Sequence, residues 1–361
     1  MELSEVLNLV RADIAAMNAY SSARSLASDG EGVQDLYLDA NEAPVEPFPG
    51  GENLNRYDSQ QPPAVLNKLA ELYRVKPDNI MMSRGSDEAI DIIIRTFCNP
   101  GSDDSIIITP PTFGMYAQHA AVNATKVISV SLDPFNFAVN KAAILAQIGP
   151  KSSVKVVFLC SPNNPTGTII DMVDLVEIIQ KSNAIVVVDE AYIEYHDQQK
   201  LLQLLPFNPQ LILLRTMSKA RALAGIRLGC AIGHTAVIAM LRKVLPAYPM
   251  ARPSMDVALR ALSSEHQTQL QNMRNIIIDE RERMSLALKG SLDVDKIWPS
   301  ATNFLLVQVK DPAVMMKKAA DCGIILRDMS GQIPRSIRVT LGMPQDNNRL
   351  LEAWGVSVQS V

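Results

Sequence analysis

Between about residues 80 and 235 the chain alternates short runs that are apolar throughout with longer stretches whose apolar residues return at helical spacing. The runs are IIIT at 106, KVISVSL at 126, VKVVFLC at 154, AIVVVD at 184, LILLRT at 211 and RLGCAIG at 227. Strands apolar on both faces are covered on both faces, so the pattern predicts an α/β domain with a mainly parallel sheet sandwiched by helices. After LPAYPMARPS come longer helical stretches, such as 256–289, and two strand-like runs, NFLLVQV at 303 and SIRVTLG at 336. These predict a smaller α+β domain. Near the N-terminus Leu3, Val6, Leu7, Val10, Ile14 and Met17 fall at helical spacing. The expected organisation is an N-terminal arm over 1–28, a large domain over 29–245 and a small C-terminal domain over 246–361. The segment APVEPFPGGENLNRYDSQQPP reads as an ordered irregular loop, and loops of that length are often functional.

Charge narrows the class of ligand. The 361 residues carry a formal net charge of -4, with a pI near 5.7, which gives no electrostatic footprint for nucleic acid or an anionic membrane surface. Small metabolites are the expected ligands. The N-terminus interrupts its apolar residues with acids and an arginine, unlike a signal peptide. No apolar run approaches the roughly 18 residues of a membrane span, so a cytoplasmic location is expected. Cys98, Cys160, Cys230 and Cys322 form no C-x-x-C pair and have apolar neighbours, which predicts buried free thiols. His119, His196, His234 and His266 make no metal-ligand spacing, and no metal is expected.

In an open parallel sheet, ligands sit outside the carboxyl ends of the strands, so the polar residues that follow apolar runs are the candidates. LILLRT is followed by Ser218 and Lys219. A lysine that attacks a carbonyl needs a lowered pKa, which neighbouring cations supply; an isolated Ser-Lys pair is more often a surface feature. AIVVVD delivers Asp189 and then Tyr192. A carboxylate on a pocket floor keeps a pyridoxal ring nitrogen protonated, although a plain helix cap after a strand has the same sequence. FLCSPNNPTG is turn-rich, and its Asn164 carries an amide able to hydrogen-bond a phenolate oxygen. In MMSRGSDEAIDIII, Gly85, Ser86 and Asp87 precede a helix expected to start near Glu88, whose free N–H groups suit a phosphate. Ser218 and Arg227 would complete the phosphate cup, and Phe113 in PPTFGMY would stack on a ring. Together these pieces describe one cofactor, pyridoxal 5'-phosphate.

The series Gly85-Ser86-Asp87-Glu88, Pro111 to Tyr116, Ser161 to Gly167, Asp189-Glu190-Ala191-Tyr192 and Ser218-Lys219 through Arg227 resembles the pyridoxal-phosphate-dependent aminotransferases of fold type I. Within them it looks most like the histidinol-phosphate aminotransferases. Tyr20, LDANEAP near 38, RYD at 56, SATNF at 300, GIILRDMS at 323 and IRVTLG at 337 carry the resemblance over nearly the whole chain. It implies that Lys219 holds the cofactor covalently and shuttles a proton, that Asp189 holds the ring nitrogen, and that Asn164 and Tyr192 hold the phenolic oxygen. It further implies Phe113 on the ring face, with Ser86, Asp87, Ser218, Arg227 and, from a second subunit of a homodimer, Tyr57 on the phosphate. Tyr20, Asn41, Arg327 and Arg338 are the implied substrate-binding residues. The implied reaction exchanges an amino group between L-histidinol phosphate and 2-oxoglutarate, giving glutamate, in histidine biosynthesis. An aromatic amino-acid aminotransferase, a threonine-phosphate decarboxylase and, more remotely, a non-catalytic sensor module are the other readings. Relatives often have tyrosine in place of Phe113, an aromatic in place of Arg221, and Asn-Glu-Asn-Pro or Asn-Glu-Tyr-Pro where this chain has Asn41-Glu42-Ala43-Pro44.

Overall fold

The computed structural model of the chain describes residues 1–19, 38, 40–150, 152–196 and 200–357. Seven strands form one sheet: Ile80–Ser83 (β1), Ser105–Ile108 (β2), Lys126–Ser129 (β3), Val154–Cys160 (β4), Ile185–Asp189 (β5), Leu211–Thr216 (β6) and Gly229–Gly233 (β7). Their spatial order is β1-β7-β6-β5-β4-β2-β3, with β7 alone running against its neighbours. The β-branched runs of β4 to β6 fit this setting because both of their faces are buried. Alternate residues divide between two cores. Val186 and Val188 join the core under the helices Pro63–Tyr73, Met172–Lys181 and Arg252–Ala261. Ile185 and Val187 join the opposite core, under Gly85–Phe97, Met115–Val122 and Thr235–Val244.

The N-terminal apolar positions resolve into two short helices, Leu3–Leu7 and Ala12–Ala16, and only Val6 and Val10 of that series are buried, against the second core. Met255, Ala258 and Leu262 belong to the first core, so the packing of the large sheet extends past the expected boundary at 246. The 26-residue helix Ser264–Lys289 then leads to a second, antiparallel sheet of Val294–Ile297 (β8), Phe304–Val309 (β9), Arg327–Asp328 (β10) and Ser336–Thr340 (β11), in the order β10-β11-β9-β8. Its core includes Trp354 and Val307 and also takes in Tyr192 and Ala220, so the small sheet is packed against the loops that follow β5 and β6.

The edge strand β1 has its outward backbone groups occupied. The Gln61 amide accepts from Met82 N at 2.6 Å and donates to Met82 O at 3.1 Å. Ile80 donates its N–H to Pro77 O, and its carbonyl accepts from Arg242. Gln61 closes the long loop expected from the sequence, which holds no helix or strand between residue 40 and Pro63. The cysteines are free; Cys98, Cys160 and Cys230 are buried, but Cys322 is exposed, because its helix ends there at the surface. Among the described residues no helix is long and apolar enough to cross a membrane.

Candidate active site

The register of the large sheet collects the expected chemistry on one edge. Ser83 of β1 and Thr216 of β6 both pair with Gly229 at the start of β7, while Cys160 of β4 pairs with Asp189 of β5. The segments beyond these points open into a cavity of about 600 Å³. Its walls include Ser86, Asp87, Phe113, Asn164, Asp189 and Tyr192, and also Ser218, Lys219 and Arg227. The small sheet contributes Arg327 and Arg338.

One end is built for an anion. The helix Gly85–Phe97 begins at Gly85, three residues before the expected Glu88, because Ser86 and Asp87 already take helical geometry. Glu88 acts as the cap from within, accepting from Arg84 N at 2.7 Å. The first-turn N–H groups have no carbonyl ahead of them in the helix and are available to a ligand. Gly85 adopts φ +81°, and a Cβ on it would stand 2.7 Å from the guanidinium of Arg227. A Cβ on Gly229 would press on Ser86 N and stand 2.6 Å from the carbonyl carbon of Gly85. Absent side chains therefore leave the cradle open. Arg227, itself left-handed at φ 56°, donates to Ala224 O at 3.1 Å and reaches Ser218 Oγ at 3.5 Å.

The other end is buried and charged. Asp189 is 3% exposed and accepts from Tyr116 Oη at 2.8 Å and from Ala191 N at 3.1 Å. Burial pushes its carboxyl above the ordinary range, against those hydrogen bonds and the charge of Lys219. Tyr116 is fixed by stacking on Phe158 at 4.9 Å and meets Phe113 edge-on at 5.7 Å. Lys219 Nζ lies 5.7 Å from the centre of the Tyr192 ring. Burial depresses its amine, and Arg338 and Arg227 depress it further, with Asp189 opposing. Arg338 donates to Asn164 Oδ1 and lies over the Phe304 ring at 5.4 Å. Arg327 of β10 is directly opposite Arg338 of β11, so both arginines stand on one face of the small sheet.

Two expected residues, Tyr57 and Asn41, are not among the walls of this cavity. Tyr57 is half exposed and stacks on Tyr248 at 4.4 Å. Asn41 is exposed, in left-handed geometry at φ 55°. Tyr20 lies outside the described residues. Conversely, Tyr116, Met329 and Gln332 touch the site or its aspartate without having been singled out. Tyr116 stood in the PPTFGMY stretch, but the aspartate it reaches is 73 residues away in sequence.

Residues 37–353 match the family described as aminotransferase class I and II, and the chain belongs to that family. Its large mixed sheet flanked by helices, with a smaller antiparallel sheet, is the fold type I arrangement of such enzymes. More particularly, the chain is 39% identical over 349 residues to histidinol-phosphate aminotransferase of Pseudoalteromonas atlantica, covering 95% of this chain and 93% of that one. It is 39% identical over 360 residues to histidinol-phosphate aminotransferase of Shigella flexneri, covering 98% of each. Among solved structures, histidinol-phosphate aminotransferase from Sinorhizobium meliloti in complex with pyridoxal-5'-phosphate shares the fold, with a TM-score of 0.75 at 22% identity over 94% of this chain and 95% of that one.

Proposed function

We propose that the protein is a pyridoxal-phosphate-dependent aminotransferase of histidine biosynthesis, exchanging an amino group between L-histidinol phosphate and 2-oxoglutarate. The residues present fit the cofactor. The side-chain-free cradle at Gly85 and Gly229 admits its phosphate, and the buried carboxylate of Asp189 gains from a protonated ring nitrogen beside it. When bound, the cofactor supplies an electron sink for the charge that develops on the substrate α carbon.

This chain's residues do the rest. Ser86, Asp87, Ser218 and Arg227 hold the phosphate, Phe113 covers the ring face, and Asn164 and Tyr192 orient the phenolic oxygen. Lys219 holds the cofactor covalently. Once the substrate amine has displaced it, its depressed pKa would keep more of the amine neutral near pH 7, so that it could take the proton from the substrate α carbon and deliver it to C4′. The working unit in this reading is a cytoplasmic homodimer in which Tyr57 of each subunit completes the phosphate site of the other.

The cross-strand placement of Arg327 and Arg338 on the cavity wall carries the substrate assignment. A carboxylate is satisfied by one guanidinium fork, whereas a dianionic phosphate accepts from two. The donor carries its phosphate ester where an amino acid carries its carboxylate, and glutamate uses the same arginines in the reverse half-reaction. Loss of a charge-assisted fork inside such a site costs on the order of 2 to 5 kcal/mol. Arg327→Ala should therefore lower kcat/KM for histidinol phosphate by roughly 30-fold or more, with a much smaller effect on phenylalanine. Equal losses, or faster turnover of phenylalanine by the unmodified enzyme, would favour an aromatic amino-acid aminotransferase.

A further inference from the structure

A second cavity, of about 700 Å³, lies behind the lysine turn, between the helix Arg252–Ala261, the first turns of Ser264–Lys289 and Met343 of the small domain. Its walls are mainly apolar, with Leu223, Val257, Leu270, Met273 and Ile276 contributing. Among the described residues no acidic side chain lines it, whereas Arg221, Arg260 and His266 do. Arg221 is 6% exposed. Its guanidinium donates to Gln267 Oε1 at 2.7 Å, and its enclosed Nε has no hydrogen-bond partner among the described residues. A guanidinium this deeply buried carries a large desolvation cost, and an anion held against the face it presents to the cavity offsets part of it. Nearby, the guanidinium of Arg274 is depressed first by burial and then by Arg221, with Glu194 and Tyr195 opposing.

This cavity shares a covalent element with the active site. Ala222, left-handed at φ 56°, donates its N–H to Lys219 O at 3.1 Å, and Leu223 N donates to Met217 O at 3.0 Å. Lys219 faces one cavity and Arg221 and Leu223 face the other, from a single tight turn. Arg221 is thus two residues from the lysine, within a turn closed by a hydrogen bond to the Lys219 carbonyl.

We propose that the second cavity binds an amphipathic carboxylate, its charged end on Arg221 and its apolar body against Leu223, Leu270 and Met273, and that occupancy alters turnover through the lysine turn. The positive wall sets the sign of the charge and the apolar lining sets the body. The site is independent of which amino donor the enzyme uses.

The experiment is titration calorimetry on the holoenzyme with 4-phenylbutanoate and, separately, its uncharged amide, combined with steady-state rates at saturating substrates. The carboxylate should bind about 10-fold or more tightly than the amide, and Arg221→Gln should erase that preference. Leu270→Glu, on the half-buried wall, should abolish binding of both and serves if the Arg221 variant fails to fold. Bound carboxylate should change kcat in the unmodified enzyme and leave the Leu270→Glu enzyme unaffected. Absence of binding, equal affinity for acid and amide, or binding that survives Leu270→Glu would overturn the site. A carboxylate that only raises KM for the amino donor marks binding in the active site and overturns it too, while binding with no change in kcat overturns the coupling.

Discussion

The base role proposed for Lys219 needs a neutral amine, and two arginines from different parts of the chain favour that form. After burial, Arg338 is the larger contributor to its depressed pKa and Arg227 the next. Removing a positive neighbour makes the ammonium form less unfavourable, so the pKa rises. Arg338→Gln should therefore shift the pH dependence of Lys219 labelling by an amine-selective reagent, measured on the apoenzyme, to higher pH. Burial persists in the variant, so the amine should stay below its ordinary value. An unchanged profile would separate Arg338 from the lysine. Individual candidates were legible in the sequence because each follows an apolar strand, but their partners were not. Nothing in the sequence links Tyr116 to Asp189 or Arg338 to Asn164, a pair 174 residues apart. Those links arise from strand order, and strand order is a property of the folded sheet.

The buried runs of β4, β5 and β6 were legible as strands, as was the mostly exposed β3, while the short buried β1 was not among the runs singled out. Half-exposed β8 and the two exposed residues of β10 carry no such run of apolar residues and were not. The start of the helix Gly85–Phe97 was placed late because Ser86 and Asp87 are common cap residues, and here the cap position falls to Arg84, with Glu88 reaching back. That junction depends on Gly229 in the neighbouring strand, whose added Cβ would meet backbone atoms, including Arg215 O at 2.9 Å, that cannot rotate away. Gly229→Ala should separate β7 from the Gly85 turn. The expected cost is about 1 to 3 kcal/mol of stability, read as a lowered Tm, with weaker binding of pyridoxal phosphate to the apoenzyme in a fluorescence titration. An alanine enzyme with unaltered cofactor affinity would show that the cradle does not need this contact.

At the scale of the whole molecule, the two-sheet organisation followed from the change of pattern after residue 246, but the prolines there do not end the large core, because Met255 and Ala258 still pack into it. The exposed Tyr57 is the test of assembly. Mixing inactive Tyr57→Ala subunits with inactive Lys219→Ala subunits should restore part of the activity, since a mixed dimer regains one site with both groups intact; an active enzyme that sediments as a monomer would refute shared sites. How such subunits meet is constrained by the edge of the seven-stranded sheet. An open edge strand invites another chain to extend the sheet, which is one route to fibres. On β1 the Gln61 amide already fills the position of a neighbouring strand, and Pro77 and Arg242 take the groups of Ile80. At the far edge, β3 is short and carries Lys126. Two copies have no strand to share at β1, and a crowded solution of this protein is protected at that edge from growing into a continuous cross-β ribbon.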